Sequence, residues 1–185
     1  ISCTYQSCSV KCKRWIDDNK PMIPVSVNIS QTDFDQPDLA NVITEIVDKY
    51  ELPHALIHIE ITESANASDK EKKIEIINTL KEREFIIELD DFGTGYSTFA
   101  SVAELPIDII KIDMSLVRNM FEPKHEAILR SIIYTAARLG FDAVAEGVET
   151  EKQAKFLRMN NCMNIQGFLY ARPCAEDVFV GYLEK

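Results

Sequence analysis

The chain has 185 residues, 46% of them hydrophobic and 27% charged, a balance that suits one globular domain with a sizeable core. No apolar run approaches the roughly 20 residues needed to span a bilayer. The net charge of −10 opposes non-specific binding to duplex nucleic acid, which needs Lys and Arg to neutralise phosphates.

The first element is a predicted helix. It carries Cys8 and Cys12 four residues apart, on one face, then a basic patch (Lys11, Lys13, Arg14) and Trp15, read as packing beside a solvated charged face. The five cysteines (Cys3, Cys8, Cys12, Cys162, Cys174) match no zinc spacing and read as reduced thiols of a cytoplasmic protein. Six apolar, β-branched runs then recur: Pro24–Ile29, Leu56–Ile61, Phe85–Leu89, Ile107–Ile112, Phe141–Ala145 and Asn164–Leu169. Helical patterns separate most of them, over Pro37–Tyr50, Ser68–Arg83, Lys124–Leu139 and Glu149–Asn160, with a last helix over Ala175–Leu183. Gly140 reads as the C-cap of the third of these. Strands alternating with helices predict βα units and a parallel sheet, with residues 1–185 as one domain.

Period-two alternation separates two faces in each strand. Ile57, Ile59 and Ile61 oppose His58, Glu60 and Thr62; Phe85, Ile87 and Leu89 oppose Ile86, Glu88 and Asp90; Ile110 and Ile112 oppose Ile109, Lys111 and Asp113. In a (βα) barrel the apolar face meets the helices and the polar face points inward. Asn28, Glu60, Asp90, Lys111, Glu146 and Gln166 all fall at C-terminal strand ends, the end of a barrel that carries the chemistry.

These residue types define the chemistry. Asn28, Glu60, Asp90 and Asp91 form an all-oxygen set, without His or Cys, which favours Mg²⁺ or Mn²⁺ over zinc. Adjacent Asp90 and Asp91 can reach two ions, the usual clamp for attack on a phosphodiester. Only one of the pair follows the inward parity, so the strand is predicted to end there, before Gly93 and Gly95. Lys111 reads either as a buried counter-charge or as a group that orients water and steadies charge on phosphate. Asp113 is placed to hold that lysine, and Glu146 is either a candidate general base or a further member of the water network. Glu149 is either a helix-start charge or a site residue. Glu63 is either a cap or an anchor for the Gly-rich loop after Asp91. His54, His58 and His125 are read as structural.

The motifs VSVNIS, IEITES, ELDDFGTGYSTFASVAELPIDIIKID, AVAEGVET and NIQGFLYARP, in this order, resemble the EAL domain of cyclic di-GMP phosphodiesterases. The resemblance runs from about Trp15 to the C-terminus. It implies a TIM-like (βα) barrel, with six of eight strands here, and hydrolysis of cyclic di-GMP to linear pGpG with two Mg²⁺ or Mn²⁺ ions. It implies metal ligands at Asn28, Glu60, Asp90 and Asp91, and handling of the nucleophilic water by Lys111 and Glu146 with Asp113 in the same network. It also implies loop anchoring by Glu63 and a substrate-side position for Gln166. A homodimer and an upstream sensor or GGDEF-type domain are further implications, with membrane anchoring only through such additional domains.

The resemblance departs at the start. The family has about two more strands before the region matching Ile1–Ser30, and the second carries the Glu-Ala-Leu motif whose Glu is another metal ligand. The chain, which does not begin with Met, reads as an N-terminally incomplete EAL domain, expected to show little activity alone. The alternative is a catalytically inactive EAL-like module that binds cyclic di-GMP or a protein partner.

Overall fold

A computed structural model describes residues 2–62, 70–94 and 99–183. In chain order the elements are α1 (Ser2–Asp17), β1 (Val25–Ile29), α2 (Leu39–Lys49), β2 (Ile57–Thr62), α3 (Lys70–Glu82), β3 (Ile86–Phe92), α4 (Phe99–Val102), β4 (Ile109–Ile112), α5 (Met114–Arg118), α6 (Pro123–Leu139), β5 (Asp142–Ala145), α7 (Glu151–Met159), β6 (Asn164–Ile165) and α8 (Glu176–Leu183). The strands form one six-stranded sheet in sequence order, with β1–β2, β3–β4, β4–β5 and β5–β6 paired in parallel. All six predicted strands are present. The last is shorter than its apolar run, and two residues past it Gly167 lies against backbone: a Cβ there would stand 2.1 Å from the Val148 carbonyl oxygen. Two further helices, α4 and α5, show no periodic signal in the sequence, since four or five residues are too few to display a 3.6-residue period.

The chain divides into two compact units, with the boundary inside β3. The first comprises residues 1–87 and 174–185. Ile57, Ile59 and Ile61 of β2 are at most 4% exposed. Leu39, Ile43 and Val47 make the buried stripe of α2 at a spacing of four. Each such aliphatic side chain contributes roughly 1.5–3 kcal/mol on burial. Arg83, just past α3, donates to the Ala40 carbonyl at 3.1 Å and the Thr44 hydroxyl at 2.6 Å, tying α3 to α2. His54 stacks on Phe85 with centroids 4.4 Å apart and bonds the Arg83 carbonyl and Asp48, the structural part expected of it. At the C-terminus, Glu176 of α8 accepts from Arg14 and from the Trp15 indole of α1.

The second unit comprises residues 88–173. Leu129, Ile132, Ile133 and Ala136 bury one face of α6, and Gly140 ends it with φ +83°, the left-handed C-cap read from sequence. Thr150 and Gln153 form a reciprocal capping box at the start of α7. Gln153, 8% exposed, also donates to the Val117 carbonyl at 3.3 Å.

Candidate active site

In the first unit, parallel register sets Asn28 of β1 opposite Glu60 of β2. The Asn28 amide donates to Glu60 Oε2 at 2.7 Å, and Glu60 is 7% exposed. The two predicted ligands are therefore brought together by the sheet, an amide and a carboxylate at one level. His58 lies one position pair deeper, half-buried, opposite Ser26.

In the second unit the centre is Lys111, 7% exposed in β4. Its ammonium is 3.0 Å from Asp90 Oδ1 and 2.8 Å from Glu146 Oε1, both carboxylates 18% exposed. Asp90 Oδ1 is buried without an aligned hydrogen bond, so its contact with Lys111 is Coulombic. Glu146 follows β5, where its backbone N–H donates to the Ile112 carbonyl at 3.1 Å and so carries the β4–β5 pairing to the site.

The strand β3 runs through the Asp90–Asp91 pair to Phe92, one residue past the expected end and directly before Gly93, by way of a bulge. Leu89 pairs with Ile110 and Phe92 with Ile112, so β3 spends three steps where β4 spends two. The extra residue is absorbed at Asp91, which takes the left-handed φ of +58°. The bulge lifts the restriction that adjacent residues face opposite ways. Both carboxylates consequently come within the field of Lys111. Partial desolvation raises the Asp91 carboxyl above its usual range, the neighbouring Asp90 and Asp113 carboxylates raise it further, and Lys111 opposes them.

The remaining candidates have local backbone tasks. Asp113 is the N-cap of α5, its Oδ1 accepting from the Ser115 N–H at 2.9 Å. Glu149 immediately precedes the N-cap of α7, is exposed, and donates its N–H to Gln153 Oε1, in keeping with its helix-start reading. Gln166 is exposed after β6; its N–H donates to the Ala145 carbonyl and its carbonyl accepts from Val148. Glu63 lies outside the described residues. Glu88, 5% exposed, is a charged side chain the site reading passed over; it shares the parity of Asp90 two residues deeper, and that parity was the signal. Among the described residues no three His, Cys, Asp or Glu side chains stand arranged for a metal ion.

The family model of the EAL domain matches residues 4–173. The chain belongs to the EAL domain family. The match begins ahead of Trp15, so α1 is part of the EAL region as well. Cyclic di-GMP phosphodiesterase PdeR of Escherichia coli is 33% identical over 162 residues, 87% of this chain and 24% of that protein. The EAL domain of Mycobacterium smegmatis DcpA superposes with a TM-score of 0.91 at 30% identity, covering 97% of this chain and 81% of that one. A manganese/cy-diGMP complex of Klebsiella pneumoniae BlrP1 superposes with a TM-score of 0.81 at 25% identity, covering 92% of this chain and 44% of that one. The chain spans about a fifth of the length of the curated relatives it matches. With its parallel βα sheet, the EAL chain has the TIM-like (βα) barrel fold class.

Proposed function

We infer that this EAL protein is a divalent-metal-dependent phosphodiesterase that opens one phosphodiester of cyclic di-GMP to give linear pGpG. The observation that carries the reading is Lys111 held between Asp90 and Glu146, with Asp91 crowded by further carboxylates, in a member of a family whose named relatives include cyclic di-GMP phosphodiesterases. A module that had lost catalysis would have no need to keep that buried charge arrangement together.

The residues suit Mg²⁺ or Mn²⁺ by their chemistry. In the first unit, Asn28 and Glu60 offer amide and carboxylate oxygen; in the second, Asp90 keeps a buried oxygen without an aligned donor, and Asp91 lies in the field of the Asp90 and Asp113 carboxylates. These four are the proposed ligands, two ions being the count implied by the family resemblance. The bound ions would neutralise phosphate charge and lower the pKa of water. Lys111 holds a positive charge where charge develops on the phosphate. Glu146, fixed by Lys111, accepts the proton of the attacking water. Asp113 steadies the turn after β4 through its cap, and Glu63 and Gln166 are proposed for loop anchoring and substrate contact.

A homodimer, an upstream sensor or GGDEF-type domain and a cytoplasmic setting belong to the same proposal and rest on the family resemblance. Residues 1–185 are proposed as a single EAL domain. Among the described residues no helix is long and apolar enough to cross a membrane. The test is incubation of the full-length protein with cyclic di-GMP and Mg²⁺ or Mn²⁺, with products separated by chromatography. The expected result is pGpG, lost in Asp90→Asn and Lys111→Met. Tight cyclic di-GMP binding without turnover would overturn the enzyme reading in favour of a sensor.

A further inference from the structure

The phosphodiesterase reading gives α1 no task, yet one buried side chain of that helix reaches the strand that carries Asn28. Tyr5, Ser9, Cys12 and Trp15 form the buried stripe of α1, at spacings of four, three and three. Tyr5 is fully enclosed, at 0% exposure, and its hydroxyl donates to the Val27 carbonyl of β1 at 3.4 Å. Val27 immediately precedes Asn28, and α1, β1 and β2 all belong to the first unit. β1 ends the sheet order, with β2 as its neighbour. Past Asn28 the chain is held by its own turn, where the Ser30 N–H donates to Asp33 Oδ2 at 2.8 Å, and by α3, where Lys73 donates to Gln31. Tyr5 supplies a tie on the other side of Asn28.

We propose that Tyr5 is a positioning residue for the Asn28–Glu60 pair, fixing the Val27–Asn28 peptide so that the Asn28 amide meets Glu60 and turns its oxygen toward a divalent cation. The proposal rests on the reading of Asn28 and Glu60 as metal ligands. The Val27 carbonyl and the Asn28 nitrogen and Cα lie in one peptide plane. A hydroxyl that holds the carbonyl therefore holds the plane from which the Asn28 side chain springs, and in a strand the side-chain direction follows that plane. Asn28 commits one amide N–H to Glu60 Oε2, at 2.7 Å. Its Oδ1 remains as the acceptor that a hard cation takes.

The phenol is suited to the task. Burial, then the charges of Asp33, Cys8 and Glu60, push it well above its usual range, so the hydroxyl keeps its proton and stays a donor. The bond is long for a hydroxyl donor and adds little to stability. Tyr5→Phe removes it while keeping the ring and its packing.

The test is manganese(II) binding to the full-length protein, read by electron paramagnetic resonance of the free ion, with thermal unfolding alongside. Tyr5→Phe, with far-UV circular dichroism matching the parent, is expected to weaken binding about threefold to tenfold, the fold-change of one ordinary hydrogen bond. Asn28→Ala should weaken binding too, and adding Tyr5→Phe to it should change the affinity by less than about twofold, because the phenol acts through Asn28. Arg83→Met cuts the tie between α3 and α2 in the same unit. It should lower the thermal midpoint at least as much as Tyr5→Phe and leave manganese affinity unchanged, which separates positioning from general loosening. Equal affinity in Tyr5→Phe and the parent, the same loss in the Asn28→Ala background as in the parent, or a matching loss in Arg83→Met would each overturn the positioning role and leave the ligand assignment standing. Undiminished binding in Asn28→Ala, or no binding by the parent, would overturn the ligand assignment and the role of Tyr5 with it.

Discussion

Replacing Lys111 with methionine keeps most of the aliphatic stem and deletes one charge. The ammonium stands 2.8 and 3.0 Å from two carboxylates that are each only 18% exposed. At an effective dielectric of 20, one unit pair at 3 Å attracts by about 5 kcal/mol, and burying the lysine cancels a large part of that. Breaking a buried pair by removing one partner costs about 3–5 kcal/mol, because the other charge stays behind. The residual exposure of Asp90 and Glu146 moves the expectation to the lower end, a loss of about 2–4 kcal/mol. Urea unfolding at neutral pH reads this as a lower midpoint with unchanged slope. Adding Glu146→Gln to Lys111→Met should restore part of the loss, and the double-mutant cycle should give a coupling of about 1–3 kcal/mol. A single variant within about 0.5 kcal/mol of the parent, the range of ordinary surface changes, would refute the reasoning, as would a cycle without coupling.

Other expectations follow from the same geometry. Gly167→Ala places a Cβ 2.1 Å from the Val148 carbonyl and 2.3 Å from its nitrogen, both backbone atoms that cannot yield; a large drop in thermal midpoint or loss of soluble protein is expected, and a midpoint within a few degrees of the parent would contradict it. Burial pushes the Cys162 thiol up to about 11, from 9.0. The unfolded chain therefore gives up this proton first, and the contribution, about 2–3 kcal/mol at 1.36 kcal/mol per pH unit, is complete below pH 9 and lost by pH 11. Urea midpoints across that window should fall less steeply in Cys162→Ala than in the parent. Asp113→Ala removes the cap of α5 and should cost about 1 kcal/mol, while Asp113→Asn, which can still accept from the Ser115 N–H, should cost little; equal losses in a chemical denaturation series would assign Asp113 a role other than capping.

The strands and long helices were legible because their signals are local. Ile57, Ile59 and Ile61 alternate with polar residues, and Leu39, Ile43 and Val47 recur at helical spacing, so a few neighbouring residues suffice to decide the element. The same alternation put Lys111 and Asp90 on one face before any contact was known. Family membership was equally readable, because motifs such as DDFGTGYS and AEGVET depend on residue identity and order.

Other features depend on register and packing. The bulge at Asp91 exists because β3 pairs with β4 out of step by one residue, a relation between segments some twenty residues apart. The Glu146–Lys111 contact needs β5 to pair beside β4, and the close approach of Gly167 to Val148 needs β6 to pair beside β5. Asp113 was read near the lysine from its place in the sequence; that its carboxylate also caps α5 depends on a helix too short to announce itself. Residue pattern thus settled which faces are apolar and which residue types could do the chemistry. Only the packed chain decided which carboxylates share the lysine, because a salt bridge depends on distances that no local pattern encodes.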